Sequence, residues 1–453
     1  MRAAVYEHEL RRLFRLAVPV TAAQAGTQMM GLVDVAVLGR LGARELAASG
    51  LGNAIFFAFA ILGTGIVSGL DPLVSQAVGA GDRVRARRVL WQGVWLSMIV
   101  TAVLTAILVA VSFAVPYAGV QGELIAPATT FMLIRTIGLA PYLVFLAIRA
   151  YLQAHGVTRP MLTAMIVANV FNFTLDILFV FGGGPIPAMG VAGAALSTVI
   201  CSFIQLAIAA AAVRHIHVNA HFDHRPNRAE IARAARVGIP IGLQLAAEIG
   251  VFALVGVLAA RLGTLQLAAH QLTIQLAAFT YTIALGIAAA GSVRVGLSVG
   301  ARERVATRVA GHVAFIVGAI VMALNGLAFA VFPRACARLI TNQENVIRTA
   351  IPLLLVAAVF QLSDGIQAVG AGVLRGGGDT KYTLYANLFG HWAIGFPIAL
   401  WLGFHMHLGI VGLWWGLCAG LTIVAVLLFF RFERLSKRGI DPIQPAPRGV
   451  LSH

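Results

Sequence analysis

Charge is the scarcest thing in this chain. Only 11% of its 453 residues are Asp, Glu, Lys or Arg, and 59% are hydrophobic, whereas a soluble globular chain carries about a quarter charged residues. So few charges cannot cover a water-facing surface. This excludes an ordinary soluble domain and makes bilayer hydrocarbon the solvent for much of the chain. Cysteine is nearly absent too. Cys201, Cys336 and Cys418 stand far apart, so there is no CxxC pair and no disulfide framework, and each reads as a small buried residue. The N-terminal run MRAAVYEHELRRLF lacks the short apolar core and cleavage site of a secretory signal. It reads as a retained amphipathic lead-in to an apolar run.

Long apolar runs are what the chain has instead. Twelve occur, at about 13–38, 47–78, 89–116, 124–150, 160–183, 190–213, 237–260, 267–299, 309–333, 348–374, 382–404 and 409–430. Each is long enough to cross a bilayer, which takes roughly 20 residues. The 48 glycines suit closely packed membrane helices. The expected fold is an all-α integral membrane protein of twelve transmembrane helices.

The formal charge of +16 orients the chain. With the N-terminus inside, 26 of the 33 Lys and Arg fall in inner loops and six (Arg40, Arg44, Arg261, Arg334, Arg338, Arg348) in outer ones, with Arg135 inside a helix. This positive-inside bias puts both termini in the cytoplasm. The basic loops lack interleaved aromatics, so nucleic acid is excluded as a partner.

The two halves repeat. Arg40-Leu41-Gly42 with Leu46-Ala47-Ala48 recurs 221 residues later as Arg261-Leu262-Gly263 with Leu267-Ala268-Ala269. Pro19 meets Pro240, Gly65 meets Gly286, and Val78-Gly79-Ala80 meets Val299-Gly300-Ala301 at the same offset. Leu152, Gly156 and Thr158 meet Leu374, Gly378 and Thr380 at offset 222, and Gly190 and Gly193 meet Gly409 and Gly412 at 219. Six spans per half is an even number, so the halves enter from the same side and form two six-helix bundles about a pseudo-twofold axis along the membrane normal. The expected organisation is an N-lobe at 1–213, a cytoplasmic linker at 214–236, a C-lobe at 237–436, and a polar, Pro-rich tail at 437–453 that reads as disordered.

Charges at bilayer depth cost about 2.5–3.5 kcal/mol on insertion scales. Asp34, Asp176, Glu248 and Asp364 lie well inside predicted spans, with Asp71 and Arg294 nearer the cytoplasmic ends. Helical spacing gives the deep acids polar company: Thr27 two turns before Asp34, Asn169 and Asn172 on the stripe of Asp176, Gln244 one turn before Glu248, and Gln367 three residues after Asp364. Such stripes face a polar cavity, because lipid leaves them unsatisfied. The bland alternative is that the acids bond neighbouring helices. The repeat places Val255 opposite Asp34, Thr27 opposite Glu248 and Tyr142 opposite Asp364, so the scaffold is duplicated and the acids are not. Glu248 and Asp364, if they face one cavity, bind one proton or one alkali cation between them. A cationic substrate competing for that charge gives exchange. Asp71 and Arg294 are expected either to clasp the cytoplasmic ends of two helices or to meet headgroups and local partners.

These residues resemble the multidrug and toxic compound extrusion (MATE) family, most closely its NorM-like branch. The likeness rests on Met30-Gly-Leu-Val-Asp34 with Gly39; on Glu248 with Leu262-Gly263 and Ala268-Ala269-His270-Gln271; and on Asp364, Gln367, Gly372 and Leu374-Arg375-Gly376. Gln76 with Gly79-Ala80-Gly81, and Val293-Arg294-Val295-Gly296, also fit. It covers about 12–432. The resemblance implies an antiporter of the bacterial inner membrane, acting as a monomer without cofactor, that exports small cationic or amphipathic compounds against inward Na+ or H+. It makes Asp34, Glu248 and Asp364 the functional acids. Asn172 and Asp176 resemble an N-lobe cavity pair of the DinF-like branch, which leaves the branch and the coupling ion open.

The remaining signals are weaker. His215, His217, His221 and His224 cluster in the linker, but no acid or cysteine completes a metal set, and they read as a solvated loop. His405 and His407 read likewise, and His270 as a packed residue. Gly63, Gly65 and Gly69 lack the strand–loop–helix setting of a nucleotide site. No Walker-type lysine motif is present, which argues against direct ATP drive. The nearest rival function is a lipid-linked oligosaccharide flippase of the same superfamily. Such a protein needs cationic groups in its cavity, and only Arg135 answers. No nucleophile–base pair or metal set at membrane depth supports an enzyme.

Overall fold

The computed structural model describes residues 2–117, 119, 121–218 and 224–443. They fold as helices: α1 Arg2–Leu38, α2 Ala43–Val67, α3 Leu70–Gly79, α4 Arg83–Ala114, α5 Gly122–Ile137, α6 Leu139–Ala154, α7 Arg159–Phe181, α8 Val191–Arg214, α9 Arg228–Leu262, α10 Thr264–Gly300, α11 Arg304–Val331, α12 Pro333–Arg338, α13 Glu344–Gly377, α14 Thr380–Asn387, α15 Phe396–Leu400 and α16 Gly409–Arg438. Two π-helical segments, Leu388–Gly395 and Trp401–His405, flank α15. Nine helical stretches among the described residues are long and apolar enough to cross a bilayer, and α5 with α6, bent by 42°, makes a tenth. The other two of the twelve expected stretches are α1, whose middle carries Thr21, Gln24, Thr27 and Gln28, and the run from α14 to His405, which the π-helical segments divide. The protein is all-α and multi-pass.

The repeat is visible in the backbone. Gly42 and Gly263, which precede α2 and α10, have φ of 151° and 132°. Gly156 and Gly378 end α6 and α13 at 73° and 88°, Gly190 precedes α8, and Gly409 opens α16, both at 55°. Only glycine takes such angles without strain, so these matched glycines mark the same chain reversals in both halves.

The helices pack as two units. One holds Ala22–Val78 and Asp82–Gly242; the other holds the chain up to Thr21, Gly79–Gly81 and the chain from Leu243 onward. These bounds differ from the lobe limits expected at 213 and 237, and the difference is regular. Helix α1 leaves one unit after Thr21, two residues past Pro19, and α9 does so after Gly242, two residues past Pro240. A proline inside a helix removes a backbone donor and clashes with the preceding turn, so the helix has its weak point there. The core of the unit from Leu243 gathers around Trp414, Phe360, Leu413 and Leu421. A second cluster there receives Leu13, Leu16 and Ala17 from α1. The other unit packs Val37, Leu38, Phe131, Val180 and Val191 together.

The expected linker at 214–236 is partly structured. Its last turns already belong to α9, capped by Asn227, whose Oδ1 accepts from the backbone N–H of Ala229 (3.0 Å) and Glu230 (3.2 Å). The stretch before it docks on α4. Gln92 donates to the carbonyl of Arg225 (2.9 Å) and accepts from the N–H of Asn227 (2.8 Å), and Trp95 donates to the carbonyl of His224 (2.8 Å). The His224 ring meets Trp91 edge-on at 4.7 Å, while the residue stays solvent-exposed in the loop before α9. His221 and residues 444–453 of the expected tail lie outside the described residues. No cluster of three His, Cys, Asp or Glu able to hold a metal occurs among the described residues.

Candidate functional site

Each unit holds one buried acidic site. In the unit of Ala22–Val78 and Asp82–Gly242, α1, α7 and α8 bring Asp34, Asn172, Asp176, Ser197 and Thr198 together. Asn172 donates to Asp34 Oδ1 (3.0 Å) and Thr198 to Asp34 Oδ2 (3.1 Å), so both carboxylate oxygens are engaged from other helices. Asn172 also donates to Ser197 Oγ (3.2 Å), and Ser197 donates back to the Asn172 carbonyl (3.2 Å). Asp176 is fully buried beside Asp34 and Ser197. Two adjacent carboxyls in a dry site hold one proton or cation between them. Arg135 completes the charge set. It lies within electrostatic reach of Asp34, with its guanidinium 4.9 Å from the Phe56 ring centre and 5.9 Å from that of Phe131.

In the unit from Leu243 onward, α9, α10, α13 and α14 supply the site. Glu248 Oε2 accepts from Gln367 Nε2 and Asn387 Nδ2, both at 3.2 Å. Glu248, Asp364, Gln367 and Asn387 are all buried. Asp364 lies within electrostatic reach of Glu248, and Tyr281 lies in reach of both acids. No cationic side chain pairs with either carboxylate among the described residues. Gln361 donates to Thr280 on α10. The amide oxygens of Gln361, Gln367 and Asn387 are left buried without donors. The site is therefore rich in oxygen acceptors and poor in cations, the donor chemistry of a proton or a hard monovalent ion.

The other residues singled out in the sequence have plainer surroundings. Thr27 donates to its own helix at Ala23 (3.2 Å) and touches Met165 Sδ (3.9 Å), away from Asp34. Asn169 ties α7 to α1 by donating to the Gly26 carbonyl (3.0 Å). Gln244 is buried on α9 one turn before Glu248. Arg294 is taken up by Glu9. Its Nε and Nη2 donate to the two carboxylate oxygens at 2.6 Å each, with both side chains largely buried. The guanidinium expected to clasp Asp71 thus has a bidentate partner on α1, inside its own unit. Asp71 stands in the first turn of α3.

Sequence spacing finds the acids and, of their partners, Asn172 and Gln367. Ser197, Thr198, Tyr281 and Asn387 come from other helices than the acids, whereas Gln361 stands three residues before Asp364 on α13. Asn387 had a signal that went unused, as a polar side chain in an apolar run. Glu9 lies in the lead-in segment, where an acid draws no notice.

A family model described as MatE matches residues 19–178 and 240–401. A protein named probable multidrug resistance protein NorM from Rhizobium meliloti (strain 1021) is 32% identical over 433 residues, covering 93% of each chain. Another of that name, from Deinococcus radiodurans, is 35% identical over 443 residues, covering 95% of this chain and 96% of its own. The crystal structure of the eukaryotic MATE transporter AtDTX14 superposes with a TM-score of 0.84 at 19% identity, over 96% of this chain and 98% of that one.

Proposed function

This chain belongs to the MatE family, and from that premise we propose that it is a secondary active antiporter in which the Glu248–Asp364 site exchanges an inward cation for an outward organic cation. The chain is a multi-pass inner-membrane transporter of the multidrug-efflux kind, not an enzyme. The observation that carries the finer reading is the acid pair of α9 and α13, buried among oxygen acceptors and paired with no cationic side chain among the described residues. Such a site is stable only when something positive is in it. A proton, a sodium ion or the ammonium of a cargo each supplies that charge, and only one fits at a time. Competition for one charge is the elementary requirement of exchange. Alternating access then amounts to opening the occupied unit to opposite sides in turn, and the charge bias of the loops supports cytoplasmic termini. The site at Asp34 differs, because Arg135 already supplies a cation within reach. We assign it to cargo contact, with Asn172 and Thr198 holding Asp34 in place.

The test is efflux of a fluorescent organic cation from everted vesicles under imposed sodium or proton gradients. Glu248→Gln and Asp364→Asn should each abolish the gradient dependence while leaving the protein folded in the membrane. Full ion-dependent efflux in both variants sinks the proposal. Accumulation of a lipid-linked oligosaccharide on deletion, with no change in drug sensitivity, would favour the flippase reading.

A further inference from the structure

The two halves use the same backbone carbonyl in different ways. In the first half, Asn169 on α7 donates to the carbonyl of Gly26 on α1. The matching carbonyl of the second half is that of Ala247 on α9 (247 − 26 = 221, the repeat offset), and the residue matched to Asn169 is His391 (391 − 169 = 222). Yet the donor to Ala247 is the next residue, Trp392, through Nε1 at 3.1 Å. The cause is local. Residues Leu388–Gly395 wind as a π-helix just ahead of Pro397. Pro397 has no N–H to give the preceding turn, and Gly390 and Gly395 lie so close to Gly420 of α16 that a Cβ on either would come within 2.9 Å of it. The wider winding advances the face by a residue, so Trp392 takes the structural bond and His391 is released from it.

The released side chain is in an unusual state. His391 is 1% exposed, and neither ring nitrogen has a hydrogen-bond partner. Its ring lies 6.3 Å from that of Phe252. Leaving a buried polar group unmet is costly, and π-helical turns inside α-helices concentrate at functional sites. The register places the imidazole one turn from the acid. Asn387 bonds Glu248, and His391 meets Phe252, which stands one α-helical turn beyond Glu248 on the same face of α9. Few other titratable groups bear on the ring. Helix α9 offers Glu248, α14 offers Asn387, and α16 offers Gly416, Gly420 and Val424 to the π-helical segment.

We propose that His391 is a proton-binding relay one helical turn from Glu248, toward the Leu262 end of α9. One ring nitrogen accepts a proton from water. The other gives up its proton through water to the Glu248 carboxylate. One proton enters and one leaves the ring, which returns to its starting form when the tautomer resets. The proposal rests on Glu248 being the coupling acid, and its test separates the two ideas. His391→Asn installs the residue that the first half carries at the matched position, and His391→Ala opens a ring-sized space. Both should bind cargo within about twofold of wild type but lose about tenfold or more of the proton-driven efflux rate. Imidazole in the buffer should restore the alanine variant, which a packing role would not allow. Wild-type rate and pH profile in His391→Asn, with Glu248→Gln inactive, overturns the relay and leaves the coupling acid standing. Efflux that follows a sodium gradient and ignores pH overturns it as well. An active Glu248→Gln removes the premise instead.

Discussion

A buried charge is so costly in a membrane helix that its presence alone is informative. That is why Asp34, Asp176, Glu248 and Asp364 were legible in the sequence and Asn387 or Thr198 were not. The bonds that define the two sites join residues 119 to 164 positions apart, and no spacing rule within one helix reaches that far. The same accounting identifies a pH-sensitive residue outside the spans. His155 caps α6, and its Nδ1 meets the Tyr151 carbonyl at 2.9 Å while Nε2 is buried without a partner. Burial holds its pKa below the ordinary value against the pull of that carbonyl, and Arg83 and Arg87 add to the lowering. The unfolded chain therefore takes up a proton near pH 6.5 that the folded chain refuses until lower pH. Stability is complete above that value and falls as pH drops through the window beneath it. His155→Gln should flatten this decline. Unfolding midpoints in detergent at pH 7.5 and 5.5 check it, and equal slopes in variant and wild type would count against it.

Among the elements, apolar length predicts where helices lie and says little about how they wind. The twelve stretches were readable because each must satisfy its own backbone in hydrocarbon. The π-helical segments, the bend between α5 and α6 and the helical end of the linker depend on neighbours: Gly420 beneath the π-helical segment, and Gln92 and Trp95 beneath the linker. Small residues are what let α16 approach so closely. A Cβ on Gly420 would stand 2.8 Å from the Gly390 carbonyl oxygen and 3.0 Å from the Gly395 Cα, and backbone on both sides cannot give way. Gly420→Leu should therefore destabilise the protein by about 3 kcal/mol or more, at the upper end of overpacking costs. Gly50→Ala is the control. A Cβ there meets nothing within 4 Å, so it should be neutral or stabilising by up to about 1 kcal/mol. Thermal unfolding of purified protein compares the two, and a Gly420→Leu variant as stable as wild type would show that the contact is slack.

For the whole molecule, the duplication was legible and the partition into units was not. A repeat reports ancestry, and it assigned α1 wholly to the first half. Packing assigns the part of α1 before the Pro19 weak point to the unit of the second half. What holds it there is partly apolar, through Leu13, Leu16 and Ala17, and partly the pairing of Glu9 with Arg294, whose side chains are 9% and 12% exposed. In such a place the pair itself adds little net stability, because desolvating two ions offsets their attraction. Removing one partner is different, since it strands the other charge. Glu9→Gln should destabilise the unit by about 3–5 kcal/mol, and Arg294→Gln by a similar amount. The double variant, with two neutral amides able to bond each other, should recover most of the loss. The coupling energy from the four unfolding measurements is the quantity to read. Additive losses would mean that the two residues act independently, and that apolar packing alone secures the first turns of α1.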